Sequence, residues 1–301
     1  MIAWLTIGAI LLATSQTAKA QAGADTLPLT PAAFAAVKAS LEYDRAIPLD
    51  AALIETTEFP THSRQRIVYR GWRSRLPAYL ALPKTGEAPF PVVLLVHGGG
   101  SSKETWWQGD GFEFGAALRD SLLSAGFAIL AIDTQLHGER AAAADYMPVP
   151  TMFLERKWMH RLRDVTAETS VDLRRALDYL ETRADIDVRR ASVLGTSMGG
   201  SVAALVAATD DRIRAAVIGV APVEEKRFYP FRPLDIAPGL RRPATLIVAG
   251  RADEMIPMAA TERFMTAVGG PRSKLVILNS GHSLPAEYIV HSIQWLRAHG
   301  R

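Results

Sequence analysis

Ser197 stands in the pentapeptide Gly195-Thr196-Ser197-Met198-Gly199. A serine hydroxyl is a weak nucleophile until a base takes its proton, and that base needs a carboxylate to hold its tautomer. Glycines on both sides of the serine mark a turn too tight for Cβ atoms, of the kind that lifts a nucleophile off a strand end. Partners for it lie downstream. Asp253 falls in Gly250-Arg251-Ala252-Asp253-Glu254, and His282 follows Gly281. Glu254 is the adjacent rival for the acid. His137 is the competing histidine, but it precedes the serine in the chain. His62, His160, His291 and His299 fall in the arm, in a loop or on the last helix. A fourth element is His97-Gly98-Gly99-Gly100. Its small residues let backbone N–H groups approach a reacting carbonyl, and with the N–H of Met198 they would make an oxyanion hole. No Gly-Lys-Ser/Thr follows, so a phosphate-cradling loop is the poorer reading.

These residues need a scaffold that brings strand ends together. Phe90 to Val96, Phe127 to Asp133, Ala191 to Leu194, Ile213 to Val220, Ala244 to Ala249 and Lys274 to Leu278 are apolar runs, the mark of strands buried on both faces. Between them Phe112 to Ala125, Val165 to Thr182, Gly200 to Ala208 and Ala259 to Val268 read as helices, and Tyr288 to His299 closes the chain as another. Alternation at these lengths predicts an α/β fold, with a mostly parallel sheet covered by helices on both faces. Gln65 to Arg70 and Leu76 to Leu82, around Gly71, form a hairpin that extends one edge. Ser197, Asp253 and His282 then stand at strand ends on one edge of the sheet. Glu139 to Arg163 and Pro222 to Arg242 resist assignment and are candidate pocket walls. Trp106, Trp107 and Trp158 are candidate substrate-binding faces, each with core packing as the competing reading.

The 301 residues are 49% apolar and 22% charged, with a formal net charge of +3. That balance suits a globular domain and argues against disorder. The arginines are scattered, with no run longer than two and no aromatic interleaving, which argues against nucleic acid as a partner. With no cysteine, disulfides, thiol nucleophiles and cysteine metal sites are excluded. Ile2 to Ala13 is an apolar stretch of signal-peptide length ending in Ala18-Lys19-Ala20, so residues 1–20 read as an export leader, cleaved before Gln21. The expected location is periplasmic or secreted, without stable membrane insertion after removal of the leader. Residues 21–55 read as a helical arm, with Thr30-Pro31 as its start and Phe34, Val37 and Leu41 on one face. Residues 56–301 form the main domain.

Taken together, Ser197, Asp253 and His282 in their contexts, with His97-Gly98-Gly99-Gly100 and the turn from Asp133 to Arg140, resemble the α/β-hydrolase superfamily. The hairpin stretch Pro77-Ala-Tyr-Leu-Ala-Leu-Pro83 is similar to the front of dienelactone-hydrolase-like and acetyl-xylan-esterase-like enzymes, and to the catalytic domain of prolyl oligopeptidases. The resemblance spans about residues 56–301 and is specific for the superfamily rather than a subfamily. Two features depart from it. Dienelactone hydrolases use a cysteine nucleophile, and prolyl oligopeptidases carry a propeller domain that the short arm here cannot supply. The resemblance implies a serine hydrolase with the chain order Ser197, Asp253, His282. It also implies Gly99, the second residue after the histidine, as the oxyanion donor beside Met198. No metal or organic cofactor is implied, and the expected partner is a small-molecule ester. A peptidase using the same triad and a non-catalytic binding protein on the same scaffold are the competing readings. The polar stretch from Pro222 to Arg242 offers little apolar surface, so short acyl groups are expected.

Overall fold

A computed structural model describes residues 27–109, 111–143 and 159–301. The leader read in residues 1–20 and Trp158 lie outside the described residues. In chain order the elements are α1 (Pro31–Ser40), β1 (Ala52–Glu58), β2 (His62–Arg70), β3 (Arg75–Pro83), β4 (Phe90–Val96), α2 (Gly115–Ser124) and β5 (Ala128–Ile132). They continue with α3 (Met159–Glu181), β6 (Ile186–Thr196), α4 (Met198–Thr209), β7 (Ile213–Gly219), β8 (Ala244–Gly250), α5 (Met258–Val268), β9 (Ser273–Leu278) and α6 (Glu287–His299).

The strands form one sheet in the order β1-β2-β3-β5-β4-β6-β7-β8-β9. The pairs β1/β2, β2/β3 and β3/β5 are antiparallel, and every pair from β5 to β9 is parallel. The expected α/β fold with an antiparallel edge is what forms. The reason is visible along β4. Val92, Leu94 and Val96 enter the core on the face covered by α3, α4 and α5. Val93 and Leu95 enter the core on the face covered by α2 and α6. Apolar residues on both faces make a run, and a strand with no polar face can only sit inside a covered sheet.

Two details differ from the sequence reading. The antiparallel edge has three strands, not a hairpin alone: β1 lies across the 55/56 position where arm and domain were divided. β1 is exposed along nearly its whole length, so it has no buried face to impose an alternating pattern. Its register is irregular between Leu53 and Glu55. The second difference is that α2 begins at Gly115, not Phe112. Residues 111–114 form a loop, with Phe114 in the left-handed region at φ 46°, and they reach the site. The arm packs onto the main body. Thr30 caps α1, and Val37 and Leu41 join the core. The stretch 222–242 is polar outside and apolar inside: Val223, Phe228, Leu234, Ile236 and Leu240 are buried, and Arg232 pairs with Asp235 beneath the surface.

Candidate active site

Ser197 occupies the turn between β6 and α4 at φ 55°, ψ −123°, a backbone conformation that costs a side-chain-bearing residue of order 1–3 kcal/mol and persists only when its surroundings enforce it. Here they do. A Cβ on Gly195 would stand 2.2 Å from the carbonyl oxygen of Gly199, and one on Gly199 would stand 2.2 Å from that of Val96. The two glycines therefore allow the turn to close on itself and to press against the end of β4. The N–H of Ser197 donates to Gly219 O at 2.8 Å, which ties the turn to β7. The N-terminus of α4 points its unpaired N–H groups at the same spot, a place suited to negative charge.

Asp253 and His282 arrive from β8 and β9. A Cβ on Gly250 would meet Gly281 O at 2.0 Å, so the ends of these strands run almost in contact. Ala252 N–H donates to Ser280 O at 2.9 Å. Asp253 closes its own turn, Oδ1 accepting from the N–H groups of Met255 at 2.8 Å and Ile256 at 3.0 Å. That leaves Oδ2 for His282 Nδ1, at 2.9 Å, while His282 Nε2 lies 2.9 Å from Ser197 Oγ. The Asp253 side chain is 2% exposed and that of His282 is 17% exposed, so the acid is sealed and the imidazole edge is reachable. Glu254, the rival acid, is exposed, and it is Asp253 that meets the imidazole.

The loop after β4 is held from behind by buried polar side chains. His97 Nδ1 contacts Gly98 O at 2.8 Å, and its Nε2 accepts from Thr134 N–H at 3.1 Å. His137 Nε2 accepts from Gly100 N–H at 3.2 Å. His137 thus pins the loop rather than competing as a base. Burial, then the neighbouring His137, pushes His97 down to about 3, and burial lowers His137 as well. Both imidazoles are neutral, as an accepting Nε2 requires. Gly98 N–H is taken by Glu113 Oε1 at 2.5 Å. Among the described residues, the N–H groups of Gly99 and Met198 have no partner. They are the two donors that the sequence assigned to an oxyanion hole, and Gly99 is exposed.

The tryptophans do not share one role. Trp106 is fully buried within the core under α2, so it presents no face to a substrate; its large apolar area is spent on packing. Trp107 is half-buried, edge-on to Tyr79 at 4.9 Å, with the Arg64 guanidinium over its ring. A residue that sequence reasoning missed stands closer. Phe112, 42% exposed, lies with its ring 5.6 Å from that of His282. Among the described residues, no group of three or more His, Asp or Glu is arranged to hold a metal ion.

Comparison with known proteins agrees with this architecture. The Alpha/beta hydrolase family model matches residues 93–241, from β4 through the stretch after β7. A Bacillus subtilis (strain 168) protein named "Putative hydrolase YtaP" is 34% identical over 147 residues, which cover 48% of this chain and 47% of that one. The chain thus matches about half the length of that relative. An Escherichia coli (strain K12) protein named "Putative carboxymethylenebutenolidase" is 27% identical over 221 residues, covering 71% of this chain and 74% of the relative. Among solved structures, Acetyl Xylan Esterase 1 from Thermoanaerobacterium sp. JW/SL YS485 superposes with a TM-score of 0.67 at 18% identity, over 90% of this chain and 94% of that one. The family model spans just under half of the chain, and the likeness to solved structures extends over the whole sheet, which has the α/β-hydrolase fold.

Proposed function

We propose that the protein is a serine hydrolase of carboxylic esters with short acyl groups. The observation that carries this reading is the unbroken chain from Ser197 Oγ through His282 to Asp253, both links at 2.9 Å, next to two unpartnered backbone N–H groups. With Nδ1–H donated to Asp253, His282 Nε2 is the acceptor for the serine proton. Ser197 Oγ attacks the ester carbonyl as that proton moves to Nε2. The oxygen that becomes negative is held by the N–H groups of Gly99 and Met198. Collapse of the tetrahedral intermediate breaks the bond to the alcohol, which leaves with the proton from Nε2. A water then enters, gives its proton to His282, and releases the acid from Ser197 by the same steps in reverse order.

Support for short acyl groups comes from the 222–242 stretch. Val223, Phe228, Leu234, Ile236 and Leu240 are buried there and Tyr229 is its one exposed large hydrophobic, which leaves little apolar surface on which a long chain would gain about 0.8 kcal/mol per buried CH₂. The acetyl xylan esterase name among the similar solved structures points to the same bond class. The leader read in residues 1–20 makes the enzyme an exported one in this proposal, with Gln21 as its mature N-terminus. A p-nitrophenyl ester series from C2 to C12 tests the proposal. The expected kcat/KM is greatest at C2 to C4; a maximum at C8 or longer would refute the acyl assignment.

A further inference from the structure

We infer that Glu113 is a positioning residue for the oxyanion hole: its buried carboxylate holds the loop at Gly98 against the strand end at Thr196, and so sets the aim of the two N–H donors. The inference rests on the serine-hydrolase reading of this site.

Glu113 lies in the loop before α2, between Phe112 and Phe114, and is 1% exposed. A carboxylate so deeply buried, with no cationic partner among the described residues, is uncommon and has to be satisfied by hydrogen bonds. A single oxygen, Oε1, accepts from two places: Gly98 N–H at 2.5 Å and Thr196 Oγ1–H at 2.9 Å. Gly98 immediately precedes Gly99, one proposed oxyanion donor. Thr196 is two residues before Met198, the other donor. One atom therefore links the two chain segments that supply the hole, which come from β4 and β6.

The link has a direction. A peptide N–H turned toward Glu113 at Gly98 is turned away from the substrate, while His137 takes the N–H of Gly100. Gly99 N–H is left between two anchored neighbours, free to face outward. The backbone that carries the carboxylate is itself fixed, because Tyr288 on α6 donates its hydroxyl to the Glu113 main-chain carbonyl oxygen at 2.5 Å. The space is also tight: a Cβ on Gly98 would come within 3.3 Å of Glu113 Oε1. Burial pushes the Glu113 carboxyl up, against hydrogen bonds from Gly98, Thr196, Thr105 and Ser101 that favour its charged form. What the geometry asks of Glu113 is an accepting oxygen at one point. A carboxamide supplies that oxygen, and a methyl does not.

The test compares Glu113→Ala, Glu113→Gln and Thr196→Val in the full chain, with p-nitrophenyl acetate as substrate and phenylboronic acid as the transition-state probe. The boronic acid takes the Ser197 Oγ electron pair on boron while the serine proton passes to His282, and the resulting tetrahedral anion places an oxygen in the hole. All rates are referred to active sites counted with a fluorophosphonate, and Tm is recorded alongside. Glu113→Ala is expected to lower kcat per active site about tenfold or more with KM within about twofold, and to weaken the boronic acid by a similar factor. Glu113→Gln should stay within about threefold of the parent, because its Oε1 can accept both bonds. Thr196→Val, which removes one of the two bonds to Oε1, should fall between them.

A filler role alone would lower Tm and the number of active sites, yet leave kcat per site and the boronic acid affinity unchanged; that result overturns the inference. Equal losses in Glu113→Ala and Glu113→Gln overturn it too. Where Glu113→Ala does not fold, Thr196→Val with the parent's kcat and boronic acid affinity is the contradicting outcome. Failure of the underlying reading looks different: the parent chain itself would neither react with the fluorophosphonate nor hydrolyse the ester.

Discussion

The two halves of the site are anchored by different means. The acid and the histidine stand on the ends of β8 and β9, and backbone carries most of the load there. Gly250 packs against Gly281, Ala252 N–H bonds Ser280 O, and Asp253 folds its own turn around Met255 and Ile256. The loop after β4 is instead held by side chains reaching in from elsewhere. His97, His137 and Glu113 each satisfy a backbone group near that loop, and all three are buried. Titration or truncation of a side chain should therefore disturb the oxyanion half while leaving the acid and histidine in register. Substitution of Asp253 should do the reverse.

The largest expected effect lies in the first half. Asp253→Asn keeps the shape of the turn but lets His282 adopt the wrong tautomer, and a loss of about 10³-fold or more in kcat follows where such a carboxylate is removed. Glu254→Gln, on an exposed side chain, should leave kcat/KM unchanged within about twofold, as surface substitutions usually do. Steady-state kinetics on both variants decides this. If Glu254→Gln is the crippling change, the acid has been placed on the wrong carboxylate.

A smaller effect belongs to the other half and is read as stability against pH. His97 and His137 are held below the ordinary imidazole value of 6.5 in the fold. Below that value the unfolded chain binds protons that the folded chain refuses. Their contribution is therefore complete above about pH 6.5 and is lost as pH falls, for His97 down to about 3. Each imidazole can contribute a slope of up to about 1.4 kcal/mol per pH unit. Glu113 acts with the opposite sign. Its raised carboxyl binds a proton in the fold before the unfolded chain does, which offsets part of the loss above the usual carboxylate value of 4.5. Tm measured from pH 7 to pH 4.5 should fall. In His137→Gln, whose amide oxygen can accept Gly100 N–H without titrating, the fall should be shallower. An equally steep fall would show that the loop is not held through His137.

How much of this was readable beforehand follows from what buries each group. Ser197, Asp253 and His282 were legible because each follows an apolar run that can only be an interior strand, and strand ends of a parallel sheet share one edge. The glycines around Ser197 were legible because their positions leave no room for a Cβ. Glu113 and Phe112 were not. Phe112, Phe114 and the Ala and Leu residues after them carry a helical apolar pattern, which drew the start of α2 three residues too early and hid a loop. The available signal was a lone carboxylate between two phenylalanines, a position where a charge is costly unless hydrogen-bond donors meet it. Trp106 shows the converse. A tryptophan next to a glycine loop is as well suited to packing as to a ligand, and only the closed space under α2 separates the two. The strand β1 escaped because exposure on both faces removes the alternation by which strands are recognised.

The central claim is that Ser197 is the activated hydroxyl of this chain, and labelling tests it most directly. A fluorophosphonate probe is incubated with the parent chain and with Ser197→Ala, and the modified peptide is mapped by mass spectrometry. The account predicts one phosphonylated residue, Ser197, and no labelling or ester turnover in the alanine variant. An adduct on any other side chain, or turnover that survives the loss of Ser197, would contradict it.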